Sequence, residues 1–366
     1  MTGPDEPLED DGEDLPPPDD MPDPSQERPK GPPGDPPREG SGVLEGVWGW
    51  LGERGWPEGK PPPRRWLLQR PATPEENGTP SRDFLPLGKV GMLAAAGGAG
   101  KTMALAQLAV SVVTGRPWLG HYAVPAESRG PVLLALGEED EEEVQRRLYD
   151  IREGLRLSAG EREELLRNLM ILPLAGHPVQ LVSAQGKDKR PEETPFFQEL
   201  RQRIEGAGVD WRLLVLDPLS RWAGPETETD NFAATRFVAA VESLAQVQGN
   251  PTVLLAHHTT KAARRGLDAG EATAVRGASA LTDGVRWVAN LVKQDGGPLT
   301  LSLVKTNYTA PAPDLPLKRG EGGVLRALSR EELEAQIAAS KVKASKKHGK
   351  ASKPEETDDD PNQAPF

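Results

Sequence analysis

Apolar positions along this chain come in two rhythms. Short continuous runs at residues 90–93, 131–136, 213–216 and 251–256 have the length and bulk of strands buried on both faces. Between them, apolar residues recur three and four apart. Met103, Leu105, Leu108 and Ala109 form one such set, Val144, Leu148 and Ile151 a second, and Phe237, Val238, Val241 and Leu244 a third. Each set predicts a helix with one apolar face. Residues 195–204 are also predicted helical, 170–173 and 179–182 are shorter apolar runs, and 186–194 and 224–231 are polar loops. Residues 287–291 and 299–305 flank Asp295-Gly296-Gly297 and predict a β-hairpin. An edge strand at 323–328 and a short helix at 331–339 follow. Strands alternating with helices predict an α/β domain with a mainly parallel sheet, helices on both faces and an antiparallel C-terminal hairpin.

The junction between the first strand and its helix reads A-A-A-G-G-A-G-K-T-M. Gly97, Gly98 and Gly100 let the backbone curl, so that amides from Gly97, Gly98, Ala99, Gly100, Lys101, Thr102 and Met103 gather around one concavity suited to phosphate oxygens. The helix that begins there adds the positive end of its dipole. Lys101 is placed to reach β- and γ-phosphates and the Thr102 hydroxyl to ligate Mg²⁺. The pattern G-x-x-x-x-G-K-[ST] is met except at its first position, which holds Ala95.

Carboxylates follow two of the later strands. Residues 131–136 run into Gly137, Glu138, Glu139 and Asp140, where a carboxylate at a strand end can activate water. The residues themselves do not choose among the three, and acidic groups there also favour a helix N-terminus. Residues 213–216 end in Asp217-Pro218, the pattern that holds Mg²⁺ opposite a phosphate loop. The strand at 251–256 ends in His257-His258-Thr259-Thr260-Lys261, a polar cluster suited to sensing a γ-phosphate. Adjacent histidines on a strand face opposite ways, which disfavours a shared metal. Lys261, Arg264 and Arg265 open a glycine-containing loop whose cations suit a nucleic-acid backbone, or simply solvent. Arg276, entering a helix beside Gly277, has the fixed charge and forked geometry of an arginine that completes a neighbouring subunit's site, or is a surface arginine near a helix start.

Composition changes the picture at the ends. Residues 1–40 hold thirteen acidic and three basic residues among many prolines, so nearly all of the formal charge of −12 sits there. This segment is expected to be a disordered acidic tail. Residues 41–82 read as an N-terminal arm or linker carrying Trp48, Trp50, Trp56 and Trp66, packed on the core or on a neighbour. Residues 83–328 form the domain, 329–339 a short helix, and 340–366 a disordered charged tail. The absence of cysteine excludes disulfides and cysteine-bound metal, and fits a reducing cytoplasm. No signal pattern and no run of eighteen or more apolar residues occurs, so no membrane span is expected.

The ordered series G-G-A-G-K-T, L-L-A-L-G-E-E-D, L-L-V-L-D-P-L-S-R, L-L-A-H-H-T-T-K, R-G-A-S-A-L-T-D-G-V-R-W and V-K-T-N-Y resembles RecA-like ATPases of the RepA type over roughly residues 60–310. That family includes hexameric plasmid helicases and ATPases of phages and mobile elements. The resemblance implies a RecA-like core assembled as a ring, with ATP and Mg²⁺ between subunits and single-stranded DNA as a partner. It implies Lys101 and Thr102 as phosphate and Mg²⁺ ligands, Glu139 as the base, Asp217 on the Mg²⁺ side and His258 as the sensor. Arg276 is the implied finger in trans, with Arg286 as a second candidate. The function implied is DNA unwinding or translocation in replication. A regulatory or scaffolding ATPase, or an ATP-dependent DNA-binding module without motor activity, are the alternatives.

Overall fold

The computed structural model describes residues 59–71, 83–185, 190–258, 279–293 and 298–339. The chain divides at Pro62/Pro63, and every element described below lies in the unit Pro63–Phe366. Its centre is a nine-stranded sheet in the order β13-β12-β11-β10-β3-β9-β8-β4-β5. The strands are β3 (Val90–Ala95), β4 (Val132–Leu136), β5 (Leu169–Pro173), β8 (Leu213–Asp217), β9 (Thr252–His258), β10 (Trp287–Lys293), β11 (Leu299–Thr306), β12 (Leu315–Arg319) and β13 (Leu325–Ala327). The six strands from β10 to β5 run parallel, and β11, β12 and β13 are added antiparallel.

The continuous apolar runs make sense in this frame, because both faces of the sheet are covered. Leu93, Ala95, Leu134, Leu136, Val215, Leu254 and Ala256 point into one core with helices α1 (Lys101–Thr114) and α2 (Glu141–Leu155). Their neighbours Met92, Ala94, Leu133, Leu214, Leu216 and Leu255 point into the other. There they meet α4 (Pro195–Gly206) and α6 (Asn231–Leu244), which bury Phe197, Leu200, Phe237 and Val241. Helices α3 (Ala159–Asn168), α5 (Leu219–Trp222) and α7 (Ser279–Gly284) complete the set named here. A further helical stretch covers residues 330–339. Among the described residues no helix is long and apolar enough to cross a membrane.

The expected fold class is met, one local expectation changes, and two elements appear where none was expected. Helix α3 buries none of its residues, so it leaves no apolar periodicity to read. It is held by its ends instead, through a Ser158–Glu161 capping box and the ion pair from Arg116 to Glu161 at 2.5 Å. The segment 186–194, expected to be a loop, contributes β7 (Arg190–Glu193), paired antiparallel with β6 (Val182–Gln185) in a separate ribbon. Strand β12 lies among prolines at 311, 313 and 316, which mask its alternation. Upstream, β1 (Trp66–Gln69) pairs with β2 (Asp83–Pro86), and Trp66, Leu67 and Leu68 are buried. That part of the expected arm packs on its own domain.

Candidate nucleotide site

Strand β3 ends at the C-terminal edge of the parallel strands, and α1 starts six residues later. Gly98 and Gly100 take positive φ values of 75° and 100°, and Ala99 donates its N–H to the Ala96 carbonyl at 3.1 Å. This curls the loop tightly before the helix begins. Ala95 sits within β3 in extended register with His258 and Leu291. A Cβ is accommodated there, so the departure from the loop pattern does not alter the curl.

After α1 the chain crosses to β4, three strands away from β3, and a crevice opens over the ends of the strands between them. A cavity of about 440 Å³ occupies it. Its walls include Gly97, Gly98, Gly100, Lys101, Thr102 and Met103 from the loop, with Glu138, Asp217 and His258 from three strand ends. Ala99, the remaining expected loop contact, is buried behind.

Lys101 is only 8% exposed, and burial lowers its pKa against the fields of Asp217 and Glu138. Asp217 is 4% exposed. Burial raises its pKa, opposed first by the Lys101 charge and then by a hydrogen bond from Thr102. One Asp217 oxygen, Oδ2, is buried with no hydrogen-bond partner among the described residues. An orphaned carboxylate oxygen beside a threonine hydroxyl fits a hard divalent cation such as Mg²⁺, bound directly or through water.

The three acidic candidates after β4 separate cleanly. Asp140 caps α2, accepting the Glu143 N–H at 2.9 Å. Glu139, the base implied by resemblance, is clamped by Arg147, which donates to its two oxygens at 2.8 and 2.6 Å. Glu139 does not line the cavity; Glu138 does. The difference arises because consecutive residues leaving a strand diverge, and the helix that follows supplies Arg147 two turns on. His257 and His258 also diverge as expected: His257 is buried in the sheet and His258 faces the cavity.

A comparison with known protein families matches residues 53–264 to the AAA domain. The chain belongs to the AAA domain family. It therefore carries a P-loop ATPase domain, and the matched span contains the glycine-rich loop, the acidic strand ends and His258.

Two features of this ATPase site were not legible in the sequence. The turn after β12 brings Arg319, Gly322 and Gly323 to the cavity wall, and Arg319 donates to the Gly98 carbonyl at 3.1 Å. Arg147 lines the cavity as well, paired to Glu139 and, at 3.2 Å, to Glu143. Arg286 lies elsewhere. Its N–H bonds the Val90 carbonyl at the start of β3, at the opposite edge of the sheet from the loop. Lys261, Arg264, Arg265 and Arg276 lie outside the described residues. A larger groove of about 1040 Å³ runs beside α2 and β5, lined by Leu148, Tyr149, Leu165 and Ile171. It is mostly apolar and shares no residue with the loop, so it is not where phosphate chemistry belongs.

Proposed function

We propose that this ATPase works as a ring, hexameric in plan as in the RepA-type enzymes it resembles, hydrolysing ATP with Mg²⁺ and coupling hydrolysis to movement along or unwinding of single-stranded DNA. The observation that carries the hydrolysis is the convergence of Lys101, Thr102, Glu138 and Asp217 on one crevice. Lys101 and the loop amides hold the charge that develops on the phosphates. Asp217 and Thr102 would hold Mg²⁺, which supplies electrostatic stabilisation of that charge. Glu138 takes the proton from the attacking water, because it is the carboxylate of its group that the cavity presents. Glu139, locked to Arg147, holds the segment in place. His258 reports the state of the γ-phosphate to the segment that follows it.

Two placements support the coupled, multi-subunit reading. Strand β9 ends at His258, and Lys261, Arg264 and Arg265 follow it by three, six and seven residues in sequence, so the γ-phosphate sensor and the basic residues are close along the chain. Arg286 is remote from its own cavity, as an arginine serving a neighbour would be, and Arg276 lies ten residues before it. The test is the ATP hydrolysis rate per subunit across protein concentrations, with and without single-stranded DNA, for the wild type and Arg276→Ala. The rate is expected to rise with concentration and with DNA, and Arg276→Ala is expected to remove most of it. A rate flat in both and insensitive to Arg276 would mean a self-contained site and a regulatory ATPase instead.

A further inference from the structure

We propose that Arg319 is a nucleotide ligand in cis: a second cation, beside Lys101, that holds the polyphosphate from the C-terminal side of the crevice. The proposal rests on the reading of the cavity as the ATP site.

The path to it starts at Gln107, buried in the middle of α1. Its side-chain amide donates to the Leu325 carbonyl at 2.9 Å and accepts the Leu325 N–H at 2.8 Å. This reciprocal pair joins residues 218 positions apart and fastens β13 to the phosphate-loop helix. Leu325 in turn faces Arg319 across the β12–β13 ladder. The connecting turn passes over α1 and α2, with Gly322 at φ 62° and Gly323 at φ 84°. A Cβ on Gly322 would stand 2.6 Å from Asp150 of α2, so the turn is seated closely. The chain is thus held on both sides of Arg319, and the side chain projects to the loop.

The charges around it decide what it is for. Lys318 and Arg326, its neighbours on the two strands, both pair with Glu332 at 2.5 Å. Arg147, across the cavity, is spent on Glu139 and Glu143. Arg319 has one protein hydrogen bond among the described residues, to the Gly98 carbonyl, and no carboxylate partner. A guanidinium carries five N–H donors in a planar fork that matches phosphate oxygens. Four of them are therefore unspent on a side chain that lines a phosphate cavity. The loop also leaves room for it: a Cβ on Gly100 would lie 2.9 Å from Nη2 of Arg319. A brace for the loop alone would need only the bond to Gly98.

The test is equilibrium binding, measured by calorimetry with Mg²⁺, of ADP and of inorganic tripolyphosphate to the full chain and its variants. Arg319→Ala is expected to weaken both ligands by the same factor, about ten- to hundredfold, the worth of charge-assisted hydrogen bonds. Arg319→Lys should recover part of it as a point charge. The melting temperature without nucleotide should stay within about 2 °C, since Arg319 is exposed and ion-pair-free. Three results would overturn the assignment: both affinities unchanged, a loss for ADP but not tripolyphosphate, or a loss matched by a large fall in unliganded melting temperature. Lys101→Ala is the separate control. If it binds ADP as the wild type does, the reading of the cavity fails, whatever Arg319 does.

Discussion

Replacing Gln107 by leucine separates the C-terminal strands from the phosphate-loop helix without changing the volume of the core much. Gln107 is 1% exposed and Leu325 fully buried, so the two Leu325 backbone groups have no water to turn to. Each buried backbone group left unpaired costs about 1–3 kcal/mol. Leucine recovers some apolar burial, so the net loss should be about 2–4 kcal/mol. For a domain of this size that is a fall in melting temperature of about 5–15 °C. Thermal unfolding without nucleotide reads the loss, and amide hydrogen exchange at Leu325 locates it, because that N–H loses its acceptor. The same variant should weaken nucleotide binding, since Arg319 depends on β13 for its position. A melting temperature within about 1 °C of wild type, with the Leu325 amide still protected, would mean that Gln107 does not fasten β13 to the loop helix.

Ala95→Gly restores the missing glycine of the loop pattern, yet it should lower stability by about 0.5–1 kcal/mol and leave ATP affinity within about twofold, because position 95 is extended strand rather than turn; calorimetric binding and thermal melts check both. The Arg116–Glu161 pair holds the Glu161 carboxyl down at about 2, chiefly through the hydrogen bond from Arg116. A folded-state pKa below the ordinary 4.5 gives stability that is complete above that value and is lost as pH falls toward 2. Glu161→Gln should therefore cost about 0.5–1 kcal/mol at pH 7, discounted for solvent screening, and nothing near pH 2. Urea melts at the two pH values would show it.

Much of this fold was written in the chain as periodicity. The apolar strands at β3, β4, β8 and β9 are buried on both faces, and helices α2, α4 and α6 each keep an apolar face, so the pattern survives in one dimension; α1, expected to have one apolar face, is instead buried nearly all round. The elements that escaped are held by other means. Helix α3 is fixed by a capping box and an ion pair, and β7 by pairing in a two-stranded ribbon with only Pro191 buried. The same division runs through the site. Lys101, Thr102 and Asp217 announce themselves because each sits at a fixed offset from a strand or turn. That Glu139 is clamped while Glu138 lines the cavity depends on where Arg147 lies one helix away, which the residues 137–140 alone do not record. Arg319 depends on a contact across 218 residues made by a single glutamine, which no local spacing records.

We propose that ATP binds in this crevice and that Glu138 activates the water that cleaves it. Single-turnover hydrolysis by Glu138→Gln, beside ATP binding by the same variant, tests it most directly. ATP affinity is expected to stay within a few-fold of wild type and the cleavage rate to fall by about 10²–10⁴, the range for losing a positioned base. Glu139→Gln in the same assay should lose far less. Wild-type cleavage by Glu138→Gln, with the large loss falling on Glu139→Gln instead, would contradict it.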